Sequence, residues 1–360
     1  MDKTKKKGTK LPLITFILYF CTKNNKMTPK VSVIITIYNR EKYIEKCVCS
    51  LFNQSLQEIE YIFIDDASTD RSVELLQTLL NNYSKRKSQS KLILLKTNSG
   101  VTNARNIGVN QATGEYIIHA DSDDWVDYDM YEKMYAKAKS TNADIVGCDI
   151  CHEYINTSHI FHQPYESNIK ENIHKLIKGD IHPSLCTSLT KSKLIKNNKI
   201  DFPTGLNMGE DLYYNLQLFI HANKIIGMNY APYHYRHTPS SSSFHHTKET
   251  IESGIMIGRK IEELMIKEKQ YEEFKSDIDY RKFTLKLSLI IDFNNYKNYK
   301  RWLQLFPETN DMIWSFNKID WKLRLELWLA AHHMYYLAKA ISKGLYLQSR
   351  FRHLLTSKVS

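Results

Sequence analysis

Val31-Ser-Val-Ile-Ile-Thr-Ile-Tyr-Asn39 is the stretch from which the rest of the chain can be ordered. Its first seven residues are compact and β-branched, the pattern of a buried strand. They give way abruptly to the polar pair Tyr38-Asn39. The chain downstream repeats that design. Glu41 to Asn53 sets Tyr43, Ile44, Cys47, Val48, Leu51 and Phe52 at helical spacing. Tyr61-Ile-Phe-Ile64 predicts a second strand, stopping at Asp65-Asp66. Ser72 to Tyr83 predicts a helix and Leu92-Ile-Leu-Leu95 a third strand. Gly100 to Gln111 reads as a loop and helix, and Tyr116-Ile-Ile-His-Ala120 as a fourth strand that stops at an acidic cluster. Met130 to Ser140 is then helical, and Ala143-Asp-Ile-Val-Gly147 is another strand. Such alternation argues for an α/β fold, a mostly parallel sheet with helices on both faces.

In open sheets of this kind ligands bind beyond the carboxyl ends of the strands. Tyr38-Asn39, Asp65-Asp66, Asn98 to Arg105 and Asp121 to Asp124 all fall at that end. Beyond about residue 150 the alternation weakens. Gly209-Glu210-Asp211 precedes an apolar helix, Leu212 to His221, and Tyr230-Ala-Pro-Tyr-His-Tyr-Arg-His237 leads to a polar run, Ser240 to Ser243. Thr250 to Lys267 and Trp321 to Ala340 read as helices.

The whole chain has 360 residues, 42% hydrophobic and 25% charged, a globular composition large enough for one domain and an appendage. Fifty basic residues against 39 acidic ones give a net charge of +11. That excess favours anionic partners, but the basic residues are dispersed and no nucleic-acid-binding motif is present, so nucleic acid is not expected as a partner. The six cysteines are too sparse for a disulfide scaffold. Cys47 and Cys49 fall in a helix, and Cys148 and Cys151 at a strand end. They are expected to be reduced structural thiols of a cytoplasmic protein rather than zinc ligands.

Five residue groups carry chemistry. In Asp121-Ser-Asp-Asp-Trp125, carboxylates two apart on a turn can face one hard divalent ion such as Mg²⁺ or Mn²⁺, which would stabilise a departing diphosphate; the same spacing also makes an ordinary capped turn. Asp65-Asp66 can accept hydrogen bonds from a nucleoside, or cap the next helix. Asn98 to Asn106 places backbone N–H groups and Arg105 where anions bind. Glu210-Asp211 can supply a base for an acceptor hydroxyl, or simply complement a helix dipole. His237, beside Arg236, can reach a diphosphate or a metal shell, or lie on the surface.

In combination and in order, these segments resemble the family-2 nucleotide-sugar glycosyltransferases with the GT-A (Rossmann-like) fold. The matching pieces are Val31 to Asn39, Ser50-Leu-Phe-Asn-Gln54, Ile64 to Asp70, Asn103-Ala-Arg-Asn106 with Gly108, Gly114-Glu-Tyr116, Asp121 to Asp124 and Gly209-Glu-Asp211. The resemblance covers roughly residues 30 to 240. It implies an inverting transfer from a nucleotide-diphosphate sugar, most often a UDP-sugar, to a hydroxyl on a glycan or lipid-linked glycan. The setting it implies is bacterial cell-surface polysaccharide synthesis, capsule or lipopolysaccharide included. Thr36, Tyr38, Asp65 and Asp66 would hold the nucleoside, and Arg105 would face the phosphates or base. Asp121 and Asp123 look like the metal motif, Asp123 the direct ligand. Asp211 looks like the general base, supported by Glu210. Thr36, where many relatives carry proline, and His119-Ala120, where bulkier apolar residues are usual, depart from the pattern without removing a reactive group. The alternative is a catalytically silent relative that binds nucleotide-sugar as a scaffold.

The domain reading is then an N-terminal extension at 1–27, a GT-A domain at 28–240 and a helical region at 241–360. In the extension, Lys5, Lys6, Lys7 and Lys10 precede the apolar run Leu11 to Phe20, which resembles a signal peptide without a cleavage site and is too short to span a bilayer. Met27 is an alternative natural start. The helical region, ending in Lys343, Arg350, Arg352 and Lys358, can lie peripherally on an anionic membrane surface, pack on its own domain or pair with a second copy.

Overall fold

The computed structural model describes residues 14–19, 28–203, 205–206, 208–237, 248–291 and 298–342. The chain divides into two compact units, Met1–Phe244 and His245–Ser360.

The first unit opens with β1 (Ile14–Tyr19), β2 (Val31–Ile37), α1 (Ile44–Phe52), β3 (Ile59–Asp65), α2 (Ser72–Asn82), a short α3 (Ser84–Lys87) and β4 (Ser90–Leu95). It continues with α4 (Val101–Gln111), β5 (Tyr116–Asp121), β6 (Trp125–Val126), α5 (Met130–Thr141), β7 (Ile145–Glu153) and β8 (Ser158–Phe161). It closes with α6 (Ile169–Lys178), β9 (Ser188–Lys191), α7 (Ser192–Asn198), α8 (Glu210–His221) and β10 (Ile225–Arg236). One sheet runs β1-β4-β3-β2-β5-β9-β7-β10-β6, with β8 on β7. Its heart, β4-β3-β2-β5, is parallel, as the alternation requires. Beyond β5 the sheet is mixed: β9 is antiparallel to both β5 and β7, and β10 is parallel to β7.

The central strands are buried because they are apolar on both faces. Val31, Val33, Ile35 and Ile37 of β2 and Tyr61 and Phe63 of β3 share a core with Ile44, Cys47, Val48, Leu51 and Phe52 of α1. The Phe52 ring meets Tyr61 edge-on at 5.1 Å and Phe63 at 6.0 Å. On the other face α4 lies so close that a Cβ on Gly108 would stand 2.4 Å from Ile34 Cγ2, which only glycine tolerates. These strands end together, so Tyr38, Asp65 and Asp121 come to one edge: Thr36 is the register partner of Asp121 on one side of β2, and Ile37 of Asp65 on the other.

Part of the apolar run at 11–20 has a structural use. Its Ile14–Tyr19 segment is a strand, antiparallel to β4 from Ile14 opposite Leu95 to Tyr19 opposite Lys91. The lysines before it lie outside the described residues.

The second unit contains α9 (Lys248–Lys267), α10 (Tyr271–Lys286), α11 (Ser288–Ile291), α12 (Tyr299–Gln304) and α13 (Trp321–Ala331). Its own core gathers Phe283, Ile290, Trp302, Phe316 and Leu327. The single helix expected from Trp321 to Ala340 is broken in two: α13 ends at Ala331, His333 takes a left-handed backbone, φ 62°, and the chain is helical again from Tyr335. No helix among the described residues is long and apolar enough to cross a membrane. The Ser240 to Ser243 run and the basic residues Lys343, Arg350, Arg352 and Lys358 lie outside the described residues.

Candidate active site

The acidic turn after β5 sorts its side chains by alternation. Ser122 and Asp124 turn inward: Ser122 Oγ donates to the Thr36 carbonyl at 2.8 Å, and Asp124 accepts from the Tyr233 hydroxyl and from the Arg236 N–H at 2.8 Å. Asp121 and Asp123 turn outward, each side chain 34% exposed. Asp123 pairs with Arg40 at 3.3 Å, and its carboxyl is held above the usual range by burial and by the neighbouring Asp121. Arg236 donates to the Asp123 carbonyl at 2.9 Å and lies over the Trp125 ring at 4.8 Å. The turn is thus fastened by two inward groups and offers two carboxylates outward, which suits a hard divalent cation.

Arg105 of α4 is buried and spent on carboxylates. Nη1 lies 2.5 Å from Asp211 Oδ1 and 3.2 Å from Glu210 Oε1, and Nη2 lies 3.2 Å from Asp121 Oδ1. Burial opposes its charge, but Asp211, Asp121 and Glu210 together hold its pKa above the ordinary value. The sequence put Arg105 on the phosphates or base of a nucleotide. In the structure its fork joins the end of β5 to the start of α8. Glu210 and Asp211 open α8 immediately after Gly209, whose left-handed φ of 83° turns the chain into the helix. Asp211 is 30% exposed. Burial, offset by Arg105 but reinforced by Glu210 and Asp121, pushes its carboxyl up to about 8.

The two aspartates at the end of β3 separate in role. Asp66 is occupied: Oδ1 accepts from the Ser99 N–H at 2.7 Å and from its hydroxyl at 2.8 Å, and Oδ2 accepts from the Gly100 N–H at 2.9 Å. The anion expected at the start of α4 is therefore the chain's own Asp66. Asp66 thus braces the loop into α4 through both carboxylate oxygens. Asp65 is different. Oδ2 accepts from the Ser68 N–H at 3.1 Å, while Oδ1 is buried with no hydrogen-bond partner. An orphaned buried acceptor at a strand end fits a ligand N–H or hydroxyl. Thr36 is half-buried beside Asp121, and Tyr38 is 43% exposed at the strand end.

The His237 ring packs among histidine and tyrosine rings. Its ring is 2.7 Å from His152 Nδ1 and stacks on Tyr154 at 4.3 Å. Residues alternate along a strand, and the one brought to Asp123 is Arg236. The sequence reading also missed Arg40. Its signal was available: a cation one residue beyond the first strand loop.

Residues 32–197 match the sequence profile described as Glycosyl transferase family 2. That match runs from β2 through most of α7. It is 29% identical over 259 residues to the putative glycosyltransferase EpsH of Bacillus subtilis, spanning 70% of this chain and 74% of that one. It is 28% identical over 209 residues to the poly(ribitol-phosphate) beta-N-acetylglucosaminyltransferase TarS of Staphylococcus aureus, spanning 57% of this chain but 35% of that one. The structure of S. aureus TarS 1-349 in complex with UDP-GlcNAc matches at TM-score 0.65 and 22% identity, over 89% of this chain and 92% of that chain. At such identity the likeness is one of fold, and it agrees with the GT-A architecture expected from the family resemblance.

Proposed function

We propose that the cleft around Asp121 and Asp211 transfers a sugar, with inversion, from a UDP-sugar to an acceptor hydroxyl. The observation that carries this reading is the placement of Asp211: a partly exposed carboxylate at the start of α8, gripped by the same Arg105 guanidinium that reaches Asp121, where burial raises its carboxyl and so its basicity. In the transfer, Asp211 takes the acceptor hydroxyl's proton as its oxygen bonds to the sugar's anomeric carbon. The bond from that carbon to the diphosphate breaks, and the nucleoside diphosphate leaves with the electron pair. Arg105 orients Asp211, and Glu210 shares the same guanidinium.

Asp65 Oδ1 is the acceptor for the nucleoside, with Thr36 and Tyr38 beside it at the strand end. Asp121 and Asp123 fit Mg²⁺ or Mn²⁺: both offer oxygen, both are exposed to the same degree, and they crowd each other's charge. When bound there, the ion supplies Lewis-acid stabilisation to the departing diphosphate. Arg40 and Arg236 add fixed positive charge beside that position. A uridine donor is supported by the UDP-GlcNAc complex of the staphylococcal neighbour. An acceptor on a cell-surface polymer is supported by relatives named for poly(ribitol-phosphate). The helical unit is assigned to acceptor choice or attachment.

Calorimetric titration of UDP into the full chain, with and without Mn²⁺, tests the donor site. Metal-dependent binding that disappears in Asp123→Ala supports it. Absence of binding by a folded chain under all these conditions overturns the uridine reading.

A further inference from the structure

Strands β6, β10 and β7 lie side by side, and their register places three side chains in one cross-strand row. Trp125 is opposite His234, and His234 is opposite Cys151. Glu153, two residues along β7, points to the same face as Cys151. The three polar groups converge. Cys151 Sγ is 3.4 Å from Glu153 Oε1, which is 2.7 Å from His234 Nδ1. One ligand atom from each residue lies within 4.8 Å of the others.

We propose that Cys151, Glu153 and His234 form a tetrahedral site for a thiophilic divalent cation, Zn²⁺ by preference, that pins β7 to β10. Bonds of about 2.0–2.3 Å set tetrahedral ligand edges of about 3.3–3.7 Å, and small side-chain rotations bring this trio to them. A second observation is independent of the cluster. His234 Nε2 is 3.0 Å from Asp127 Oδ1, so a carboxylate holds the outer nitrogen and aims Nδ1 inward. That is how a metal-bound histidine is ordinarily oriented. The indole of Trp125 stacks on the imidazole at 5.1 Å with a 7° interplanar angle, fixing the ring's plane. Cys151 is buried, whereas the His234 and Glu153 side chains are 19% and 23% exposed, leaving room for water as the fourth ligand. The donor set of sulfur, nitrogen and one oxygen differs from the all-oxygen pair Asp121 and Asp123, so the two sites select different ions. Lys46, 3.0 Å from the Trp125 centroid, balances part of the charge that the thiolate, Glu153 and Asp127 bring together.

The alternative is a trio held by hydrogen bonds alone, and cobalt distinguishes the two. The full chain, stripped by chelator and kept in excess Mg²⁺, is titrated with Co²⁺. One equivalent should bind, giving a thiolate-to-cobalt charge-transfer band and the strong visible bands of tetrahedral Co²⁺. Cys151→Ser should lose the charge-transfer band, and Cys148→Ala should keep it. Asp127→Asn should weaken Zn²⁺ binding roughly 10- to 100-fold. Near-ultraviolet circular dichroism verifies that each variant is folded, and Glu153→Gln and His234→Gln replace Cys151→Ser if it is not. A wild-type chain without the sulfur band, or a band that survives these substitutions, overturns the proposal.

Discussion

Arg105 Nη1 lies 2.5 Å from Asp211 Oδ1, and that contact closes a span of more than a hundred residues between α4 and α8. The same guanidinium reaches Asp121 at the end of β5. A charge buried this deeply is stable only if its partners stay in place, so Arg105 couples the position of the proposed base to that of the proposed metal carboxylates.

Removing that charge should therefore damage more than activity. Arg105→Met leaves Asp121, Glu210 and Asp211 facing one another without a counter-charge. Because these carboxylates are partly solvated, the expected cost is about 2–3 kcal/mol rather than the full penalty of a buried pair. Arg105→Lys keeps one charge but cannot fork, and should fall between. Urea unfolding of the three proteins gives the order; a Met variant as stable as the parent would show that the ion cluster is not structural.

The raised carboxyl of Asp211 gives a signed pH dependence. As the proposed base Asp211 acts as the carboxylate, so kcat should fall as pH drops through its pKa, which burial pushes up to about 8. A divalent cation at Asp121 and Asp123 draws that limb down. Glu210→Gln removes a neighbouring negative charge that raises the pKa, and should also move the limb to lower pH. Asp211→Asn should lose about 10²- to 10⁴-fold in kcat with UDP binding retained. A limb at the same pH in Glu210→Gln would separate the pH dependence from this pair.

Asp65 and Asp66 should behave oppositely despite being neighbours. Asp66→Ala strands the Ser99 and Gly100 N–H groups and should lower stability by about 1–3 kcal/mol. Asp65→Asn keeps the packing but exchanges the orphaned acceptor for an amide, so it should weaken UDP binding about tenfold with little change in Tm. Thermal melts and UDP titrations of both variants decide it, and equal stability losses would refute the division.

The sequence was most legible where its signal is local. The runs Val31 to Ile37 and Tyr61 to Ile64 are apolar on both faces and end in polar clusters, so strand, direction and site edge could all be read from them. Ser188-Leu-Thr-Lys191 has no such run, and it is a strand because β5 and β7 leave it a place between them. Arg105 was legible as a cation near an anion site, but two of its three partners lie a hundred residues on, and only the fold reveals that they are protein carboxylates. His237 and Arg236 could not be ranked without knowing which of two adjacent positions on β10 faces the acidic turn. Trp321 to Ala340 keeps helical composition through His332-His333, where the backbone nonetheless breaks.

Lys286 supplies a stability test within the helical unit. It is fully buried on α10, donates to Asn310 Oδ1 at 2.6 Å and to the Phe306 carbonyl at 3.2 Å, and lies 4.5 Å from the Trp302 centroid. Burial, only partly opposed by Glu308, pulls its pKa from 10.5 to about 7. Between those values the unfolded chain holds a proton that the folded chain does not, so stability rises with pH across that window and is lowest below it. The rise should amount to about 2–4 kcal/mol. Lys286→Met keeps the bulk and abolishes the titration, at the expense of unpaired carbonyls. Melting temperatures between about pH 7 and pH 10 should climb more steeply in the parent than in the variant. Parallel curves would mean that Lys286 stays charged in the folded unit, its hydrogen bonds outweighing its burial.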